Sequence, residues 1–410
     1  MKLLITNIDQ LINVRAVSKV LRGKEMAELP VIRDAYLWIE HGLIREYGEM
    51  SALKPHDATE VFDAAGASIL PSWCDSHTHL VFAAGREEEF VDKIKGKSYA
   101  EIAANGGGIL NSARKLNAMT EDALFELAWN RLSELMRLGT GSIEIKSGYG
   151  LSTEGELEML RVIQRLKKES SIPIKASFLG AHTYPDVYKD NHQGYINEII
   201  HQMLPAIKAE GLADYIDVFC EKGFFSPEET ETICLAGIQQ GLQPKIHANQ
   251  LTLSKGSQTG VKLGAISVDH LETMDEDSIQ SLANSSTIGT LLPTAAFFLG
   301  MPFQPARALL NAGCALALAS DFNPGSSPSG NMNLVVSISC IQMKMLPEEA
   351  INAATLNGAY AMGLGNELGS ITPGKRANLI FTKPISSPAY LPYAFGTNLI
   401  DKVMVNGVFI

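Results

Sequence analysis

The chain has 410 residues, 46% hydrophobic and 19% charged, which suits a large folded enzyme of two or three domains and excludes wholesale disorder. Its 34 basic and 45 acidic residues leave a net charge of −11 without any long Lys/Arg run, which excludes the basic footprint of a nucleic-acid binder. Five cysteines, Cys74, Cys220, Cys234, Cys314 and Cys340, form no CxxC pair, so neither a disulfide framework nor a zinc ribbon is expected.

The start, MKLLITNIDQLINV, places Asp9 and Gln10 where a signal peptide would be apolar, and no apolar stretch approaches 18 residues. A cytoplasmic protein without membrane association is expected. Residues 1 to about 65 hold short β-like runs, Leu3-Leu4-Ile5, Tyr36-Leu37-Trp38-Ile39 and Leu43-Ile44, between polar turns, the pattern of a small antiparallel unit. From about residue 68, eight apolar runs follow, near 69–79, 141–147, 174–182, 215–221, 244–250, 266–272, 286–293 and 314–321. Helical spacing separates them over Glu121–Leu138, Leu157–Leu166, Ile196–Ala209 and Pro227–Gln240. Eight strands interleaved with helices predict an α/β fold of the (β/α)₈ type, with a doubly wound open sheet as the alternative.

Pro347–Met362 reads as a further helix, and GSITPGKRANLIFT and DKVMVNGVFI are again β-like. The expected division is 1–66 and 363–410 as one small composite β-sandwich from both termini, with the barrel at 67–362. Gly369–Lys375 imitates a phosphate loop, but Arg376 stands where a magnesium-binding Ser/Thr would be, so it reads as a turn.

The chemistry begins at Cys74-Asp75-Ser76-His77-Thr78-His79. On a strand, residues i and i+2 share a face, so His77 and His79 present two imidazoles together at the C-terminal end of the first barrel strand, where barrel enzymes keep catalytic groups. His182, His247, His270 and Asp321 fall at the ends of other runs, whereas His41, His56, His192 and His201 do not and read as surface residues. Three or four imidazoles and one carboxylate suit zinc or ferrous iron.

This pattern resembles the amidohydrolase superfamily of metal-dependent barrels. Within it, DSHTHLVFAAGR (75–86), GGGI (106–109), KSGYGL (146–151), FLGAHTYP (178–185), HANQ (247–250), DHLE (269–272) and SDFNPGS (320–326) resemble the imidazolonepropionase family. The resemblance implies hydrolysis of the cyclic amide of 4-imidazolone-5-propionate to N-formimidoyl-L-glutamate, in histidine breakdown, and a homodimer. It implies one divalent metal, Zn²⁺ or Fe²⁺, on His77, His79, His247 and Asp321, since no lysine ends the 174–182 run to bridge a second ion. Lys175, at the start of that run, reads as an ordinary surface lysine.

The same resemblance assigns Arg86 to the substrate's carboxylate tail, with Tyr99 and Tyr149 as hydroxyl donors. Asn323, Gly325 and Ser326 fall in its substrate-binding loop. His182, Gln250 and His270 share ring contact and proton transfer, with His270 the preferred base and the route among the three left open. Gln250 stands where related deaminases carry Glu; it cannot act as an acid or base near neutral pH, which weighs against the alternative of a deaminase of an aminated ring. A mobile loop is expected at Gly106-Gly107-Gly108, packing at Cys220, and a histidine-orienting role at Glu221.

Overall fold

A computed structural model describes residues 2–54, 57–97, 101 and 107–410. The first strand, β1 (Lys2–Ile12), pairs antiparallel with β2 (Val31–Glu40), which turns tightly into β3 (Leu43–Glu49). Along its other side β1 takes β4 (Glu60–Asp63) and then β5 (Ser68–Pro71), both parallel. Single residue Ser72 separates β5 from β6 (Trp73–Thr78), the first barrel strand.

The barrel continues through β7 (Thr140–Lys146), β8 (Ile174–Ala181), β9 (Tyr215–Cys220), β10 (Gln243–Ala248), β11 (Ser267–His270), β12 (Ile288–Leu291) and β13 (Leu316–Leu318). All eight strands are parallel and neighbour one another in chain order, which excludes the doubly wound alternative, whose order would reverse. The first and last strands meet through the Asp321 amide donating to the His77 carbonyl (3.0 Å) and the His79 amide donating to the Phe322 carbonyl (2.9 Å). The seam is therefore stitched at the level of the chemistry-bearing residues.

Intervening helices start where side chains can cap them. Thr120 accepts from the Ala123 amide at the start of Glu121–Arg137, Ser152 caps Thr153–Glu169, and Ser226 with Glu229 forms a capping box on Pro227–Gln239. Two expected helices are interrupted. The stretch 192–210 contains a π turn at Ile199–Met203 just before Pro205, and 347–361 contains another at Ala353–Asn357. A wide turn accommodates the N–H that proline lacks, which explains the first.

The C-terminal segment returns to the small sheet. β14 (Leu379–Thr382) pairs antiparallel with β5, followed by β15 (Ile400–Val405) and β16 (Val408–Phe409). The expected sandwich takes the form of one eight-stranded sheet from both termini, with its own core of Ile5, Ile8, Leu11, Leu37, Ile39, Leu379 and Phe381. Gly369–Lys375 is a turn: Gly374 has φ +91°, and the Lys375 ammonium donates to the Leu368 carbonyl and to Ser18. No helix among the described residues is long and apolar enough to cross a membrane.

Candidate active site

His77, His79, His247, His270 and Asp321 are buried together at the C-terminal rim of the barrel. His77 Nδ1 lies 2.7 Å from Asp269 Oδ2 and His247 Nδ1 lies 3.1 Å from Asp217 Oδ1. Carboxylates accept, so both Nδ1 atoms carry the proton and both Nε2 atoms present a lone pair. His77 Nε2 has no hydrogen-bond partner among the described residues and stands 3.5 Å from Asp321 Oδ1, as does His79 Nε2. His79 Nε2 and His247 Nε2 are 3.4 Å apart. Burial, reinforced by neighbouring cations, holds His77 and His79 well below the ordinary histidine range.

Neutral imidazoles beside a carboxylate fit a divalent cation, because the buried lone pair of His77 Nε2 meets no donor among the described residues. Ligand atoms of His77, His79 and His247 lie within 4.8 Å of one another, as do those of His77, His270 and Asp321. Burial pushes the Asp321 carboxyl up to about 7. A bound cation would favour its charged form.

The other sequence-predicted residues divide into groups. Tyr149, His182, Gln250, Asn323 and Ser326 line one cavity with His79, His247, His270 and Asp321. Phe219, which the sequence reading missed, lines it too. His182 Nδ1 bonds the Gly148 carbonyl (3.0 Å), so its Nε2 is an acceptor, and burial pushes its pKa down to about 3. At Gly148 φ is +109° and a Cβ would stand 2.9 Å from His182 Nδ1, so only glycine lets that ring approach.

Burial opposes charge on His270, but Glu272, whose Oε1 lies 3.4 Å from His270 Nδ1, with Asp321 and Asp269, raises its pKa overall. Glu272 in turn accepts from Gln304 (3.0 Å). Asn323 lines the cavity with its amide already engaged: it accepts from the Gly325 and Ser326 amides and donates to the Asp321 carbonyl and Ser326 hydroxyl. Its structural task is to shape the loop after Asp321.

Arg86 lies in an adjoining cavity with Gly107 and Asn111. Its Nε donates to Glu89 (2.9 Å), which also accepts from the Gly108 amide (3.0 Å). The other edge, Nη1, faces Gly325, where any Cβ would collide with it. Tyr99 and Gly106 lie outside the described residues, as does His56. His41, His192 and His201 are exposed, and Cys220 is buried as packing. Lys175 pairs with Asp214 near the start of its strand (3.3 Å).

Glu221 corrects the expectation. It touches no histidine among its described hydrogen-bond partners and grips the loop after Gln250 by accepting from the Leu251 (2.9 Å) and Thr252 (3.3 Å) amides. The histidine-orienting carboxylates are Asp217 and Asp269, which the sequence reading missed. Their signal was a charge inside an otherwise apolar strand run.

A family model described as the amidohydrolase family matches residues 152–410. The chain is 58% identical to an imidazolonepropionase from Flavobacterium johnsoniae, covering 99% of both chains. It is 52% identical to an imidazolonepropionase from Christiangramia forsetii, covering 100% of both. A solved adenosine deaminase from Xanthomonas campestris with bound zinc shares the fold at TM-score 0.70 and 17% identity, over 99% of this chain and 92% of that one. The chain belongs to the amidohydrolase family and, within it, to the imidazolonepropionases.

Proposed function

We propose that this chain is a metal-dependent hydrolase that opens the cyclic amide of 4-imidazolone-5-propionate to N-formimidoyl-L-glutamate, a step of histidine catabolism. The observation that carries the reading is that His77 joins two clusters of ligand atoms, one with His79 and His247 and one with His270 and Asp321, and that His79, His247, His270 and Asp321 line one cavity with Tyr149, His182 and Gln250. Relatives bearing that enzyme name match it over their whole length.

His77, His79, His247 and Asp321 would hold one divalent ion, zinc or ferrous iron. Such an ion, when bound, polarises a carbonyl and lowers the pKa of water to about 7. His270 takes the proton of the attacking water as its oxygen adds to the ring carbonyl carbon, then returns it to the ring nitrogen as the C–N bond breaks. Glu272 steadies the His270 ring through Nδ1 and favours its protonated form.

His182 offers Nε2 as an acceptor to a ring N–H. Tyr149 donates its hydroxyl, and Gln250 hydrogen-bonds the substrate without exchanging protons. Arg86 takes the propionate tail, a charge-assisted contact that a net-acidic chain needs in order to hold an anion. Gln250 weighs against ammonia release from an aminated ring.

The test is turnover of freshly generated imidazolonepropionate by metal-loaded protein. Formation of N-formimidoyl-glutamate is expected. Folded, metal-replete protein that makes none overturns the reading.

A further inference from the structure

Below the histidines the barrel interior is ionic. Glu144, Lys146, Asp217, Lys245 and Asp269 are all at 0% exposure. The Lys146 ammonium donates to Asp217 Oδ2 (2.7 Å) and Glu144 Oε1 (2.5 Å), and stands 3.6 Å from Asp269 Oδ2. Asp217 uses its other oxygen, Oδ1, to accept from His247 at both Nδ1 (3.1 Å) and the backbone amide (3.2 Å). Asp269 accepts from His77 Nδ1 (2.7 Å) and, on Oδ1, from the Ser267 hydroxyl (2.6 Å).

One ammonium thus stands between the two carboxylates that orient His77 and His247, residues brought together from β6 and β10. Lys245 is placed differently. It pairs with Glu144, donates to the Ser76 carbonyl (3.0 Å), and comes only within 4.0 Å of Asp269.

Two buried carboxylates with no cation between them repel, and each turns toward whatever donor remains. A ligand histidine presents its lone pair correctly only while its outer nitrogen is held. We propose that Lys146 is a positioning residue for the metal site: it locks Asp217 and Asp269 so that His247 and His77 aim Nε2 at a common point. This rests on the ligand assignment above.

The test measures zinc affinity by chelator competition, and the visible d–d spectrum of the cobalt-loaded protein, in the full chain and in two variants. Lys146→Met is expected to lose about 10–100-fold in zinc affinity, the range for removing an orienting partner, with an altered cobalt spectrum. Lys245→Met, which removes an equally buried ammonium that pairs chiefly with Glu144, has no described contact with Asp217 and reaches Asp269 only at 4.0 Å, is expected to stay close to the wild-type affinity and spectrum.

Unchanged affinity and spectrum in Lys146→Met, or equal losses in both variants, overturn the proposal. Should Lys146→Met not fold, Lys146→Gln is read in its place, and wild-type affinity there overturns the proposal equally. Wild-type protein that binds neither metal overturns the ligand assignment itself, a separate and distinguishable failure.

Discussion

At His270 and Leu271 the backbone φ is +85° and +66°, and it is also positive at Leu151, Asn249 and Asp321. Non-glycine residues in this region cost about 1–3 kcal/mol each and persist where surrounding structure over-determines them. All five lie at or just beyond barrel strand ends, so the rim that carries the chemistry holds part of the chain's backbone strain, the rest being spread over positions such as Asp34, Ala65 and Lys344. Asparagine tolerates such a backbone, so His270→Asn removes the base without adding strain. It should lower kcat by about 10²–10⁴-fold and leave metal content by elemental analysis unchanged; near-normal kcat would remove His270 from the proton route.

Arg86→Ala should raise KM by about 10–100-fold, the value of a lost charge-assisted contact, with kcat changing far less. An unchanged KM would take Arg86 off the tail. His77, His79, His182, His247, His270 and Asp321 were legible in the sequence because they end strand-like runs, where side chains share a face and meet at one rim. Lys146, Asp217 and Asp269 were not, because a charge inside an apolar run shows nothing of a partner lying across the barrel. Arg86 read as a partner for the substrate's tail; that its own partner is Glu89, three residues on in the first turn of the helix Glu87–Ile94, was not anticipated.

Two elements carry testable consequences of their own. The turn after β7 brings Gly148 under His182, and Gly148→Ala should cost about 1–3 kcal/mol through its left-handed backbone and push the His182 ring aside. Urea unfolding reads the first effect, and loss of activity in the folded variant reads the second. The turn before β14 buries Lys375, and burial pushes its pKa from 10.5 down to about 8.

In that window the unfolded chain binds the Lys375 proton and the folded chain does not, so this residue makes stability rise with pH between about 8 and 10.5. The gain is on the order of 3 kcal/mol, and Lys375→Met should flatten it in unfolding curves taken across that range. The eight barrel strands were readable because each is buried along nearly its whole length and so appears as an apolar run. The π turns at Ile199–Met203 and Ala353–Asn357 were not, since one extra residue in a helical turn barely disturbs the apolar spacing.

For the whole molecule, strand order around the barrel follows from chain order, because each strand–helix–strand crossover places consecutive parallel strands side by side. Pairing of β14 with β5 has no such local cause; it joins residues some three hundred positions apart and could be suspected only from β-like texture at both ends. The junction is tight. The Ser72 amide donates to the Asn378 carbonyl (3.0 Å), the Asn378 side chain donates to the Gly141 carbonyl (2.9 Å), and the Trp73 amide donates to the Gly139 carbonyl (2.9 Å).

The one-residue link at Ser72 makes β5 and β6 nearly a single rod, with one end in the small sheet and the other bearing His77 and His79. A ligand that binds only the native state stabilises it by about 4 kcal/mol at a thousandfold excess over Kd. Every opening that drags β6 inherits that stabilisation. Saturating zinc should therefore slow deuterium uptake at Ile69, Leu70 and Ile380, on the face of the molecule remote from the ion, while Ile44 to Gly48 of the peripheral strand β3 exchange at their original rate. Equal slowing of both regions would show instead that the small sheet opens only when the entire protein does.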